Sequence, residues 1–113
     1  MEEKLIEGLV GNRVAEKCLL YIANYGEGYI NGIAKTFSIS PSQVKKQLER
    51  LENGGILVNQ MSGNTKLFKF NPRLAYKKEL QDLLLKVLSL LPKAEIQQYY
   101  RQRRRPRRTG KKT

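Results

Sequence analysis

Apolar residues recur along this chain at two distinct periods. From Arg13 to Tyr25, Val14, Cys18, Tyr21 and Tyr25 follow spacings of four, three and four, and Ala15, Leu19 and Ile22 form an adjacent row. A face that wide predicts a helix buried against other helices, with Asn12 as its N-cap and Gly26 at its end. A shorter amphipathic stretch, Glu2–Val10, carries Leu5, Ile6, Leu9 and Val10 and is broken by Gly11-Asn12. Tyr29-Ile30 reads as one extended rung, and Asn31 as the cap of a two-turn helix through Ile33, Ala34 and Phe37. Ser40 followed by Pro41 is a strong helix start, because proline at the first helical position loses only an N–H that has no partner there. The helix it opens is expected to run to Asn53, with Val44, Leu48 and Leu51 inward and Gly54-Gly55 as its stop.

The period then changes to two. Ile56–Met61 and Thr65–Phe70 read as strands joined through Ser62-Gly63-Asn64, with Phe68 and Phe70 on one face. After Asn71-Pro72 a long helix is expected over Arg73–Leu91, ended by Pro92, and a last helical piece over Lys93–Tyr100. The expected fold is therefore mainly α with a small β-hairpin. It occupies residues 1–100 as one domain, and residues 101–113 form a basic tail without apolar residues, expected to be disordered.

Two helices joined through Ser38-Ile39-Ser40, followed by a hairpin, describe a winged helix-turn-helix. Ala34 is small where the helices approach, Ile39 anchors the turn, and Val44 and Leu48 bury the second helix against the first. Advancing 100° per residue from that face points Ser42, Lys46 and Glu49 outward, with Gln43, Lys45 and Arg50 on the flanks. These side chains suit a major groove: Gln43 can read adenine through a bidentate amide contact, and Lys45, Lys46 and Arg50 can sit on phosphates. Asn64 and Lys66 fall at the tip of the wing, where they would follow the backbone or the minor groove.

Charge sharpens this picture. The 113 residues carry a net charge of +12. Residues 35–78 hold nine basic side chains against Glu49 and Glu52, and residues 101–113 hold eight with no acid. Both regions suit a polyanion. Arg103, Arg104, Arg105, Arg107 and Arg108 are the expected phosphate contacts of the tail. No stretch approaches the length of a bilayer span, and the Met-Glu-Glu-Lys start lacks signal-peptide character, which predicts a cytoplasmic protein without a membrane partner.

The run from Ile33 to Val58 resembles the core of winged helix-turn-helix transcriptional regulators of the ArsR type. The carriers are Ile33-Ala34, then Phe37-Ser38-Ile39-Ser40, Ser42 and Val44, then Leu48, Leu51 and Gly54-Gly55-Ile56-Leu57. Gly11-Asn12-Arg13 and Asn71-Pro72 fit the same pattern, so the likeness spans about residues 8–91. Ser38 stands where that family has a turn glycine, a replacement that suits a residue avoiding positive φ. The resemblance implies a prokaryotic regulator of transcription that binds double-stranded DNA as a homodimer through its first and last helices.

Leu83, Leu84, Leu85, Val87, Leu88, Leu90 and Leu91 cover nearly the whole circumference of the long helix, which also predicts a partner copy. The expected dimer contact comprises Leu5, Leu9, Leu84, Leu88 and Leu91. His is absent and Cys18 stands alone, so a histidine-dependent triad, an internal disulfide and a zinc site of Cys and His ligands are excluded within one chain, and a metal sensor of the family's kind is a poor fit. Cys18 reads as an inert core thiol. No cofactor and no enzymatic activity are expected. The competing function is that of an RNA- or protein-binding winged-helix adaptor, or an antitoxin-like component, because a fold does not fix its partner.

Overall fold

The computed structural model describes residues 11–101, so the expected first helix with Leu5 and Leu9, and the tail arginines from Arg103 to Arg108, lie outside it. Five helices and a three-stranded antiparallel sheet follow in the order α1 (Arg13–Tyr25), β1 (Gly28–Tyr29), α2 (Ile30–Phe37), α3 (Pro41–Asn53), β2 (Leu57–Ser62), β3 (Thr65–Phe70), α4 (Lys77–Ser89) and α5 (Lys93–Tyr99). The fold is helix-rich with a β-hairpin, as the two periods predict.

The first helix is the hub. Asn12 Oδ1 accepts from the Ala15 N–H at 2.9 Å, so the predicted cap is formed. Seven of its residues are buried, Ala15, Glu16, Cys18, Leu19, Leu20, Tyr21 and Ile22. That run covers most of the circumference, and α1 accordingly packs against α2, α3, α4 and the sheet. Burial pushes the Cys18 thiol up to about 12, so it stays protonated and unreactive. Beside α1, Gly28 leaves no room for a side chain: a Cβ there would lie 2.9 Å from Ile33 Cδ1 and 3.0 Å from the Tyr21 ring. This close approach lets β1 lie against the helices while pairing with β3 at Gly28–Phe68 and Tyr29–Leu67.

The sheet order is β1-β3-β2. The hairpin closes with Ser62 opposite Thr65, leaving Gly63 and Asn64 as a two-residue loop. Only Gly63 of the pair has positive φ, at 63°, the pattern of a type II′ turn that matches strand twist. Phe68 and Phe70 are buried on the face toward the helices, with Leu57 opposite Phe70.

Helix α3 is set between two matching chain reversals. At its end, the Ile56 N–H donates to the Leu51 carbonyl and the Gly55 N–H to that of Glu52, a Schellman motif with Gly55 in the left-handed region. At the end of α2, the Ile39 N–H donates to the Ala34 carbonyl at 3.0 Å and the Ser38 N–H to that of Lys35 at 3.4 Å. This is the same motif with Ser38 in the glycine position, at φ 58° and ψ 46°. The serine therefore does not avoid positive φ as its replacement of glycine suggests. The motif overrides its preference because Ile39 must turn back onto the core.

Three other expectations are corrected. Helix α2 starts at Ile30 after Tyr29, with no side-chain cap, instead of after Asn31. The long helix starts at Lys77, not Arg73, because Asn71 Oδ1 accepts from the Arg73 N–H at 2.9 Å and folds the chain into successive turns through Leu74. Leu84, Leu88 and Leu91, expected at a dimer contact, are 0%, 7% and 5% exposed and belong to the protomer's own core. The leucines left outside are Leu83, Leu85 and Leu90.

The αL cost at Ser38 gives a direct test. Ser38→Gly is expected to stabilise the fold by up to about 1 kcal/mol, since relief of about 1–2 kcal/mol of left-handed strain outweighs about 0.4–1 kcal/mol of extra freedom of the unfolded chain. Chemical denaturation measures it; an unchanged or lower midpoint would show that Ser38 is unstrained there.

Candidate nucleic-acid interface

Helix α3 divides cleanly into an inner and an outer face. Val44, Gln47, Leu48 and Leu51 are buried. Ser42, Gln43, Lys45, Lys46 and Arg50 are exposed, and Glu49 is half-buried. The five exposed residues named from the sequence therefore share one solvent face, whereas Glu49, expected to point straight out, is partly covered.

Local chemistry fixes the helix that carries them. Ser40 Oγ accepts from the Gln43 N–H at 3.3 Å and lies 3.3 Å from Ser42 Oγ. Pro41 occupies the first helical position. The start of α3 is thus capped by short hydroxyls and stays open to solvent, with the positive end of its dipole beside Ser42 and Gln43.

Gln47 is the residue that the outward-face reading missed. It lies three residues after Val44 and four before Leu51, within the apolar stripe, and that spacing alone would have placed it inward. Its Oε1 accepts from Arg50 Nε at 2.9 Å. The bond holds one edge of the guanidinium and leaves its terminal nitrogens for an outside acceptor. Arg50 is in this way aimed by a buried amide, and less side-chain freedom is lost when it meets a phosphate.

The hairpin stands beside the C-terminal end of α3, where Asn59 Nδ2 donates to Glu52 Oε2. Strand alternation gives Asn59 and Met61 on β2, and Lys66 on β3, the same face as Phe68 and Phe70. The core ends at Phe68. Met61 (56% exposed) and Lys66, opposite each other, extend that face beyond the protomer into solvent. Asn64 lies at the exposed tip. Basic and amide groups therefore occur on two projecting elements, α3 and the hairpin end, and the half-buried Lys69 lies on the other sheet face.

Among the described residues no group of three His, Cys, Asp or Glu side chains is placed to hold a metal ion, and no helix is long and apolar enough to cross a membrane. No family model, curated protein or solved structure matches the chain.

Of the three exposed cations on α3, Lys45, Lys46 and Arg50, the last is braced by Gln47. Replacing two of them, Lys46→Ala with Arg50→Ala, is expected to weaken duplex binding and to flatten the slope of log K against log salt by up to about 2, near 0.9 per lost phosphate contact. Titrations across salt concentrations measure the slope; an unchanged slope would take α3 off the duplex.

Proposed function

We propose that this chain is a winged helix-turn-helix regulator of transcription that binds specific sequences in double-stranded DNA as a homodimer. The observation that carries the reading is the polar outer face of α3. Five hydrogen-bonding side chains, three of them cationic, stand on a helix whose opposite face is wholly used by the core. A helix so mounted can enter a major groove end-first, with Ser42 and Gln43 at base edges and Lys45, Lys46 and Arg50 on the flanking phosphates. The hairpin serves as the wing, with Asn64 and Lys66 against the backbone.

The homodimer rests on a second surface. Tyr76, Leu83 and Leu90 are 51%, 42% and 45% exposed and recur every seven residues. Tyr76 and Leu90 flank the two ends of α4, and half-buried Leu80 lies three residues before Leu83 on the same side. A two-fold axis through α4 would match this row with its own copy and present two α3 helices to one duplex. The expected contact set of Leu84, Leu88 and Leu91 gives way to this row, because a side chain spent on the core has no area left for a partner.

Selection from random duplexes is the test of the function. The expected result is an enriched motif with two related half-sites, about 34–36 Å apart or a multiple of that. Equal competition by RNA with no enriched motif would favour the adaptor reading. For the dimer, Leu83→Glu with Leu90→Glu is expected to give folded monomers in sedimentation, whereas Leu84→Glu places a carboxylate in the core and unfolds the protomer. A double variant that stays dimeric would move the interface off α4.

A further inference from the structure

Among the described residues, Met61 is the most exposed of the large apolar side chains, at 56%. It stands on the hairpin, apart from the exposed row of α4. The strand pairing defines what surrounds it. The Asn71 N–H donates to the Ile56 carbonyl, and Ser62 pairs with Thr65 across the two-residue loop. Hydrogen-bonded pairs therefore alternate from Ile56–Asn71 to Ser62–Thr65, and Met61–Lys66 is a pair of the other kind. Its Cα atoms lie about 4.5 Å apart and its side chains share one face at close range. The two strands and their loop, Leu57–Phe70, hold Lys66 and Lys69 and no acid.

Two constraints fix the position of Met61. Asn59, two residues earlier on the same face, donates to Glu52 Oε2 and ties the root of the hairpin to the end of α3. Met61 lies only about 7 Å beyond that tie along the strand. On its other side the loop closes at once, with Gly63 at φ 63°. The result is a short, rigid projection that carries one apolar side chain, with an ammonium opposite and the exposed Asn64 amide at the tip. A stable protein interface needs about 800 Å² from each side. Gln60, Ser62 and Asn64 are polar and exposed around Met61, so no apolar patch of that size continues from it. The mixture suits a minor groove, where cations and amides meet phosphates and base edges and an unbranched apolar side chain slides between base planes.

We infer that Met61 is a wedge that enters the minor groove beside the half-site read by α3, parts one base step, and so selects a pyrimidine–purine step at that place. This rests on the duplex-binding reading of α3. Parting a step costs stacking energy, and the cost is lowest at the flexible TA and CA/TG steps. Selectivity thus arises at a position where no base edge accepts or donates a hydrogen bond. A wedge in the minor groove kinks the duplex toward the major groove, which closes the duplex onto α3. Lys66, directly opposite, meets a phosphate at the rim of the groove as Met61 enters.

The test is selection from random duplexes with the unaltered full chain and with Met61→Leu, Met61→Ala and Met61→Gln. The side chain is exposed, so the fold does not depend on it. The unaltered protein and Met61→Leu are expected to enrich a pyrimidine–purine step at a fixed distance outside each half-site. The preference is expected to be about fivefold or more, the lower end of what one wrong base pair costs in a specific site. Met61→Ala and Met61→Gln are expected to enrich the same half-site bases without the step. A 2-aminopurine placed at the step is expected to brighten on binding the unaltered protein and to stay quenched with Met61→Ala. The salt slope is expected to be unchanged by the Met61 variants, since methionine neutralises no phosphate, whereas Lys66→Ala lowers it by about 0.9. A step preference that survives Met61→Ala overturns the wedge, and so does a salt slope that falls with it. A change in sedimentation of the free Met61→Ala protein would make the hairpin a contact between copies and also overturn it. Enriched half-sites with no step preference in the unaltered protein defeat the wedge alone. No enriched half-site with any of these proteins defeats the duplex-binding reading of α3 itself.

Discussion

The constraint on which this fold depends is the near-complete burial of α1. Seven of its thirteen residues are inaccessible, and a helix apolar around most of its circumference has no stable solution except enclosure. Within a single small domain, that enclosure must come from short elements on several sides. Helices α2 and α3, the sheet and α4 each contribute one apolar face and keep the other in water. The polar outer face of α3 is a consequence of this division. Val44, Leu48 and Leu51 are committed to the hub, so the positions between them are free to carry serine, glutamine, lysine and arginine without cost to the core.

Enclosing one helix with short pieces requires sharp reversals, and these bracket α3. Two Schellman motifs, with Ser38 and Gly55 at the left-handed position, bring Ile39 and Ile56 back toward the apolar interior. Helix α3 is therefore defined at both ends by backbone hydrogen bonds and along one side by packing. Its solvent face is held at a fixed orientation, which limits the entropy lost when such a helix meets a rigid partner. The Gln47–Arg50 bond continues this pre-organisation to the level of one guanidinium.

Much of this was legible in the residues. The Ser40-Pro41 start, the Val44/Leu48/Leu51 stripe and the Gly63-Asn64 loop are local signals with a direct physical reading, and the elements they mark lie where the pattern puts them. What escaped is non-local. Ser38 adopts positive φ because Ile39 has a distant place to go. The start of α4 shifts to Lys77 because the Asn71 side chain competes for the Arg73 amide. The leucines of α4 were ambiguous for a related reason. A stretch that is apolar all round says that two surfaces need cover, but only the three-dimensional arrangement says which row faces the hub. Leu84, Leu88 and Leu91 face it, and Leu83 and Leu90 do not.

Charge and packing are also partitioned along the chain in a way that follows from the hub. The segment around α1, residues 1–34, has a net charge of −2, whereas residues 35–78 carry +7. A buried helix can hold few ions, since each must be paired or desolvated at a cost of several kcal/mol. Four of the nine cations of residues 35–78, Lys45, Lys46, Arg50 and Lys66, stand on the exposed parts of α3 and the hairpin end. There they remain hydrated, with Glu49 and Glu52 as the only acids of that segment in the sequence. Glu52 accepts a hydrogen bond from Asn59, which joins the hairpin to α3. The neutral amide leaves the Glu52 charge in place, and the nine cations of residues 35–78 still far outnumber its two acids, which is the electrostatic condition for taking up a polyanion.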